Sequence, residues 1–370
     1  MWKLRSLFGG FDIWLFASAC TLTILGLVTM YTFEGENVFY SRQIVWIVIS
    51  LVALSIALIP DYRFLRGGNV VFMVYIGIIV LLALILLIGA TVKGAQSRFD
   101  IGFFSIQPSE YAKLALIAVL AKYFSKRHEL IGDFRYILVS GAYAFVLFAL
   151  VAVQPDFGSA IILFLIWLGM VLVAGISFRH LAVVAVAGIL AFSVLWSFGF
   201  QDYQKGRILT FLNPLTDIQG AGYNAYQSTI AVGSGQFLGK GVGYGTQSKL
   251  QFLPEYETDF IFAAFAEEWG FVGVILLFSL FGVIIWRLLY HAAQGATNFE
   301  RLFALGVAIF FISNFFVHVG MNIGLLPVTG TTMPFLSYGG SHLLMEFLAI
   351  GIVMAMSRYS KTHLSTHELM

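Results

Sequence analysis

NVVFMVYIGIIVLLALILLIGA, residues 69–90, runs for 22 residues without a single charge. A helix needs about 20 apolar residues to cross a hydrocarbon core about 30 Å thick, and this stretch supplies them. Working outward with the same template locates about ten such spans, near 11–32, 43–60, 69–90, 109–125, 136–154, 157–176, 180–200, 259–290, 302–326 and 341–358. The composition agrees: 59% of the chain is hydrophobic and 11% charged, against roughly a quarter charged in soluble domains. No soluble core could absorb that apolar surface, so the excess faces lipid. The expected fold is an all-α integral membrane protein of about ten transmembrane helices. It forms one polytopic domain over 1–370, with a structured external loop of about 201–258 between helices 7 and 8 and a cytoplasmic tail of about 359–370. The first span follows Lys3 and Arg5 and closes without a cleavage-like site, so it reads as retained. The one cysteine, Cys20, lies inside that span, reads as a packing residue and precludes an intrachain disulfide.

Sidedness follows from the basic residues. Most of the 21 lysines and arginines, among them Lys3, Arg5, Arg63, Arg66, Lys122, Arg127, Arg287 and Arg358, fall on the side of the termini. The positive-inside rule therefore places both termini in the cytoplasm. Six of the seven prolines (Pro108, Pro155, Pro214, Pro254, Pro327, Pro334) then sit at the external face, where they end helices and stiffen turns. Cytoplasmic loops are short, and the external loops hold the polar clusters. The working face is outside. The net charge of +2 says little by itself, and no nucleic-acid partner is expected.

Four external segments could carry chemistry. In the first, Gln107-Pro108-Ser109-Glu110 opens the fourth span and Lys113 follows on the same helical face. Ser109 reads as an N-cap. Glu110 and Lys113 read either as a local ion pair or as functional groups, since ionisable side chains at membrane depth are costly. The second is Gln154-Pro155-Asp156-Phe157-Gly158, where Asp156 is a helix cap, a functional carboxylate, or both. The third is the long loop with Arg207, Asn213-Pro214, Gly220-Ala221-Gly222-Tyr223 and Gly245 to Glu255, leading to Thr258-Asp259 and Glu267-Glu268. Gly-rich turns let backbone amides approach an anionic ligand. Asp259 stands at a membrane edge, either as a cap for the eighth span or as a general base toward a sugar hydroxyl. Gly233 to Lys240 faintly suggests a phosphate-binding loop, but its glycine spacing is off by one and Gly241 replaces the required Ser or Thr.

The fourth segment runs from Leu326-Pro327 to Pro334 and on through Ser337-Tyr338-Gly339-Gly340-Ser341. Beneath it Asn314, His318 and Asn322 fall four apart on one face of the ninth span, a stripe that more often bonds neighbouring helices than lines a site. Glu346 in the tenth span calls for a basic partner, which is left unnamed. His363 and His367, without a third ligand, are weak evidence for a metal.

Taken in order, these segments resemble the SEDS family (shape, elongation, division and sporulation proteins), and within it the elongation-associated RodA-like members. The most specific stretch is GTQSKLQFLPEYETDFIFAAFAEEWG, Gly245 to Gly270. QPSEYAK, QPDFG, GAGY and PFLSYGGS recur at matching intervals, and the likeness extends to about Tyr359. Relatives usually carry tryptophan where Arg98 stands, in the segment that Gly94 begins, and often asparagine where His318 stands.

The resemblance implies ten membrane helices in a bacterial inner membrane. It also implies a peptidoglycan glycosyltransferase that links lipid II units into glycan strands, with a class B penicillin-binding protein as partner for cross-linking. Asp259 matches the family's essential aspartate; Glu110, Lys113 and Asp156 match polar positions lining its central cavity. The candidate catalytic residue is thus Asp259. The candidate substrate-binding residues are Glu110, Lys113, Asp156, Arg207, Lys249, Glu255, Thr258 and Ser337. Of these, Lys113, Arg207 and Lys249 are candidates to stabilise a pyrophosphate leaving group, with a divalent cation such as Mg2+ or Mn2+ as a conceivable aid.

The rival function is a lipid II transporter. Transporters often carry inverted repeats and helices broken by Gly or Pro in matching halves. Here the prolines interrupt loops and the polar motifs crowd one face. A non-catalytic scaffold would leave the external carboxylates without a task.

Overall fold

A computed structural model describes residues 11–31, 38–92, 95–102, 104–126, 134–200, 202–213, 221–250 and 252–367. Lys3, Arg5, Gly94, Arg127, Pro214 and Gly220 lie outside the described residues, as do the side chains of His363 and His367.

The long helices are α1 (Ile13–Tyr31), α2 (Val38–Ala57), α3 (Val70–Ile88), α4 (Pro108–Ser125), α5 (Phe134–Val153), α6 (Phe157–Ala174) and α7 (Phe178–Val194). Three loop helices follow: α8 (Asp202–Leu212), α9 (Ala221–Ser234) and α10 (Thr246–Lys249). The chain ends with α11 (Ile261–Gln294), α12 (Asn298–Asn322) and α13 (Gly340–His367). Among the described residues nine helices are long and apolar enough to cross a membrane. The one expected span outside that count is the fourth, which is α4 and is 18 residues long. It differs by carrying Glu110, Lys113 and Lys122, and most of its residues are buried by protein.

Burial explains the arrangement. A charged helix cannot face hydrocarbon, so α4 sits inside, packed by α3, α6 and α12. The apolar helices surround it. The extreme case is α7, which buries no residue against the rest of the protein and leaves Val186, Ile189 and Leu190 exposed, as a lipid-facing helix should. Further pairings are α1 with α11, α2 with α13, α11 with α12, and α5 with α6. Gly340 lets α13 lie so close to α2 that a Cβ there would run into the Trp46 ring.

Two features add to the all-helical expectation. A small antiparallel sheet, β1 (Ala90–Val92), β2 (Ala95–Ile101) and β3 (Phe104–Ile106), joins α3 to α4. Its last strand pairs Ile106 with Phe99 and so delivers Gln107-Pro108 to the start of α4. The loop after α7 is largely helical, and its glycines dock on α11: Gly239 (φ 80°) meets Gly270 (φ 65°) back to back, with no room for a Cβ on either. Gly270 also breaks the regular backbone of the 34-residue α11 (φ 65°, ψ −167°), a conformation open chiefly to glycine.

Candidate active site

The starts of α4, α6 and α11 and the end of α12 share one end of the bundle. Pro108 occupies the first turn of α4, where its missing N–H costs nothing, and Gln107 is the N-cap residue without a side-chain cap. Ser109 is therefore not the cap expected from sequence. Its hydroxyl donates instead to Asp156 Oδ2 at 2.9 Å, and Gln107 Nε2 donates to the same oxygen at 2.9 Å. Asp156 Oδ1 accepts from Ser159 N at 3.1 Å and caps α6. Asp156 is thus both cap and cross-link between α4 and α6. Gln107 N in turn donates to Ser341 Oγ (3.1 Å), and that hydroxyl donates to Ser105 O (3.0 Å), tying the sheet to the start of α13.

One turn deeper, Lys113 Nζ lies 2.7 Å from Glu110 Oε1, with both side chains buried. The ion-pair reading of these two holds. It extends further, because His342 Nδ1 lies 2.7 Å from Glu110 Oε2 and His342 Nε2 lies 2.8 Å from Glu346 Oε1. His342 is the basic partner that Glu346 required, and sequence reading had not singled it out. The signal was present in the four-residue spacing of His342 and Glu346, which places both on one helical face.

Asp259 sits at the last turn before α11. That helix begins at Ile261 with Phe260 as its N-cap residue, so neither Thr258 nor Asp259 occupies the N-cap position. The Asp259 backbone is held: its carbonyl accepts from Asn322 Nδ2 at 3.0 Å. Ser337 Oγ donates to Thr258 O at 2.8 Å, and Tyr338 N donates to Glu257 O at 2.8 Å. Glu255 (φ 53°) makes the turn, its carbonyl accepting from Thr258 N and Phe260 N at 3.1 Å each. The half-buried Asp259 carboxylate lies beside Gly330, since a Cβ there would stand 3.5 Å from its Oδ2. A Cβ on Gly158 would press on Thr329 O at 2.8 Å. The loop 329–331 therefore separates Asp259 on one side from the α6 turn opened by Asp156 on the other.

His318 belongs to the frame, with Nδ1 2.7 Å from Thr331 O, so it helps shape that loop. At the rim, burial pushes the pKa of the Tyr338 hydroxyl up against the opposing pull of Arg42 and Arg98. Arg42 is not a site neighbour that sequence singles out, because it belongs to α2 and is distant in sequence from every motif.

The structure does not gather all candidates into one contact group. Arg207 is exposed on α8 and Lys249 closes α10, both on the loop after α7 rather than on the helices bearing Glu110 and Asp156. Lys240 is accounted for structurally: its Nζ lies 2.6 Å from Glu267, which is wholly buried and also accepts from Thr246 N (2.9 Å) and Gln247 N (3.1 Å). No phosphate-binding role is left to explain. Among the described residues no three His, Cys, Asp or Glu side chains converge as a metal cage would require.

Chemically, this end of the bundle offers a half-buried carboxylate on a braced turn, together with a buried and internally paired polar layer on α4 and α13. The family model for FtsW/RodA/SpoVE cell cycle proteins matches residues 7–362. Similar curated proteins include the peptidoglycan glycosyltransferase MrdB of Escherichia coli strain K12, 38% identical over 92% of this chain and 91% of that one. Stage V sporulation protein E of Bacillus subtilis strain 168 is 34% identical over 95% and 98%. Among solved structures, a chain from a study of polymerization and crosslinking by a peptidoglycan synthase complex superposes with TM-score 0.81 at 29% identity, covering 95% of this chain and 98% of that one. The rod shape determining protein RodA of Thermus thermophilus gives TM-score 0.69 at 27% identity, covering 94% and 97%. Identity at this level across almost the whole of both chains leaves one conclusion: this chain belongs to the FtsW/RodA/SpoVE family of cell cycle proteins.

Proposed function

We propose that this protein is a peptidoglycan glycosyltransferase that polymerises lipid II into glycan strands during cell elongation. It works at the external face of the bacterial inner membrane, with both termini in the cytoplasm and a class B penicillin-binding protein as its cross-linking partner. The observation that carries the mechanism is the placement of Asp259, half-buried on the turn that leads into α11, with its backbone clamped by Asn322.

In this reading Asp259 accepts the proton from the 4-hydroxyl of the acceptor GlcNAc. The resulting oxygen nucleophile attacks the anomeric carbon of the donor MurNAc as the bond from that carbon to the phosphate oxygen breaks. The lipid pyrophosphate leaves with the bonding electrons, and the configuration inverts. Charge developing on the pyrophosphate needs a cationic neighbour. Arg207 and Lys249, on the loop side of the site, fill that need. Lys113 is answered by Glu110 at 2.7 Å, so its part is to keep the buried layer intact, with Asp156, Glu255, Thr258 and Ser337 shaping the substrate groove.

The test is strand synthesis from purified lipid II, comparing the wild type with Asp259→Asn, each with its partner and with moenomycin present to silence classical polymerases. Long strands from the wild type alone support the assignment. Strands from both would remove Asp259 as the base, and strands from neither, with folded protein and a competent partner, would favour a lipid II transporter.

A further inference from the structure

Glu110, Lys113, His342 and Glu346 form a continuous line of ionisable side chains through the protein interior, 6%, 3%, 4% and 0% exposed. Two come from α4 and two from α13, and each pair is brought to one helical face by its spacing of three or four. The ring of His342 is the joint. Its Nδ1 shares a hydrogen bond with Glu110 Oε2 at 2.7 Å, and its Nε2 lies 2.8 Å from Glu346 Oε1, within ion-pair distance. With both ring nitrogens protonated, two cations and two anions balance, which is what a low-dielectric interior requires. Without the ring, two buried carboxylates would be left with the single positive charge of Lys113, which sits on Glu110.

The line does not end at Glu346. The other oxygen of that carboxylate accepts from Phe335 N at 2.9 Å. Phe335 has φ 61°, a left-handed backbone that a bulky residue adopts only under constraint. Its ring is wedged between Phe311 and Phe347, at 5.2 and 5.5 Å between centroids. The turn so constrained is the one that grips the Asp259 segment, since Ser337 Oγ bonds Thr258 O and Tyr338 N bonds Glu257 O. Gln43 Nε2 bonds Ser337 O from α2 and completes the clamp.

We propose that His342 is a positioning residue for the transfer reaction. Through Glu346 it holds the Met333–Tyr338 turn and, through that turn, the backbone that carries Asp259; through Glu110 it holds the α4 layer under the same site. This rests on the assignment of Asp259 made above. His342 touches no reacting atom, so its effect falls on turnover through geometry, and a displacement of about 1 Å can cost on the order of 100-fold in rate.

The experiment compares His342→Gln, Glu346→Leu and Glu346→Gln with the wild type in lipid II polymerisation with the partner present. Asp259→Asn is run in parallel, and kcat is expressed per folded molecule from gel filtration and thermal melting. His342→Gln and Glu346→Leu should lower kcat by about 10- to 100-fold, with KM for lipid II within about twofold. Glu346→Gln keeps an oxygen to accept from Phe335 N and should recover most of what Glu346→Leu loses. Unchanged kcat per folded molecule in His342→Gln, or a loss confined to KM, would overturn the proposal. Where His342→Gln fails to fold, equal kcat for Glu346→Gln and Glu346→Leu would overturn it instead. A fully active Asp259→Asn beside an impaired His342→Gln would refute the base assignment alone.

Discussion

Asn322 grips both sides of the turn that carries Asp259: its Nδ2 donates to Asp259 O at 3.0 Å and its Oδ1 accepts from Ala263 N at 3.2 Å. Ser228 Oγ donates to the Asn322 carbonyl at 2.9 Å, adding the loop helix α9 to the same knot. One amide at the end of α12 thus sets the backbone that carries the candidate base. We expect Asn322→Leu, similar in volume but without these bonds, to leave buried groups unsatisfied at about 1–3 kcal/mol each. Turnover per folded molecule should fall about tenfold, with little change in KM. Steady-state strand synthesis alongside a thermal melt checks this.

Asp156 separates capping from charge. Both of its oxygens are engaged by protein donors, Ser159 N on one and Gln107 and Ser109 on the other. Asp156→Ala should cost about 1–2 kcal/mol as the cap and cross-link disappear. Asp156→Asn retains an acceptor for Ser159 N and should keep most of the stability and turnover. A collapse of turnover in a stable Asp156→Asn would instead mean that the charge itself meets substrate.

The Lys240 and Glu267 pair anchors the loop after α7. Lys240→Met leaves a wholly buried carboxylate without its cation, although the amides of Thr246 and Gln247 still reach it. The expected loss is about 2 kcal/mol, read as a lower melting temperature and faster proteolysis between Gly233 and Glu255. Lys240→Met with Glu267→Gln should restore part of it, as a structural pair does and a substrate-binding lysine does not.

At the opposite end of α11, Asp12 Oδ2 lies 2.7 Å from both Arg287 Nε and His291 Nε2, fastening α1 to α11. Burial alone would raise the pKa of Asp12, but hydrogen bonds from His291 and Arg287 outweigh it and hold the value down to about 2, from an ordinary 3.8. A carboxyl with a lowered folded-state pKa stabilises the fold above its unfolded value and loses that contribution as pH falls through the folded one. The wild type should therefore lose stability between about pH 4 and pH 2 through this group. Asp12→Asn should start less stable at neutral pH and show a flatter acid limb in thermal melts taken across that range.

Much of this protein was legible in its sequence because hydropathy is a local property. The run at residues 69–90 can only be lipid-facing or core helix, whatever surrounds it, and the same logic located the spans and the long loop between the seventh and eighth. Proline and glycine placement marked the working end, and the Thr258-Asp259 pair stood out as polar residues running into an apolar helix. Sequence could not say whether Asp259 was spent as a cap. That depended on α11 starting at Ile261 and on Asn322, 63 residues away, holding the backbone. Nor could it find His342, whose partner Glu110 is 232 positions distant. Local spacing holds a signal for only half of that line, the Glu346 contact within α13. Helix periodicity places residues on a face, but it does not say which faces meet. That was decided in the tertiary structure, where buried Glu110 and Glu267 each meet a lysine.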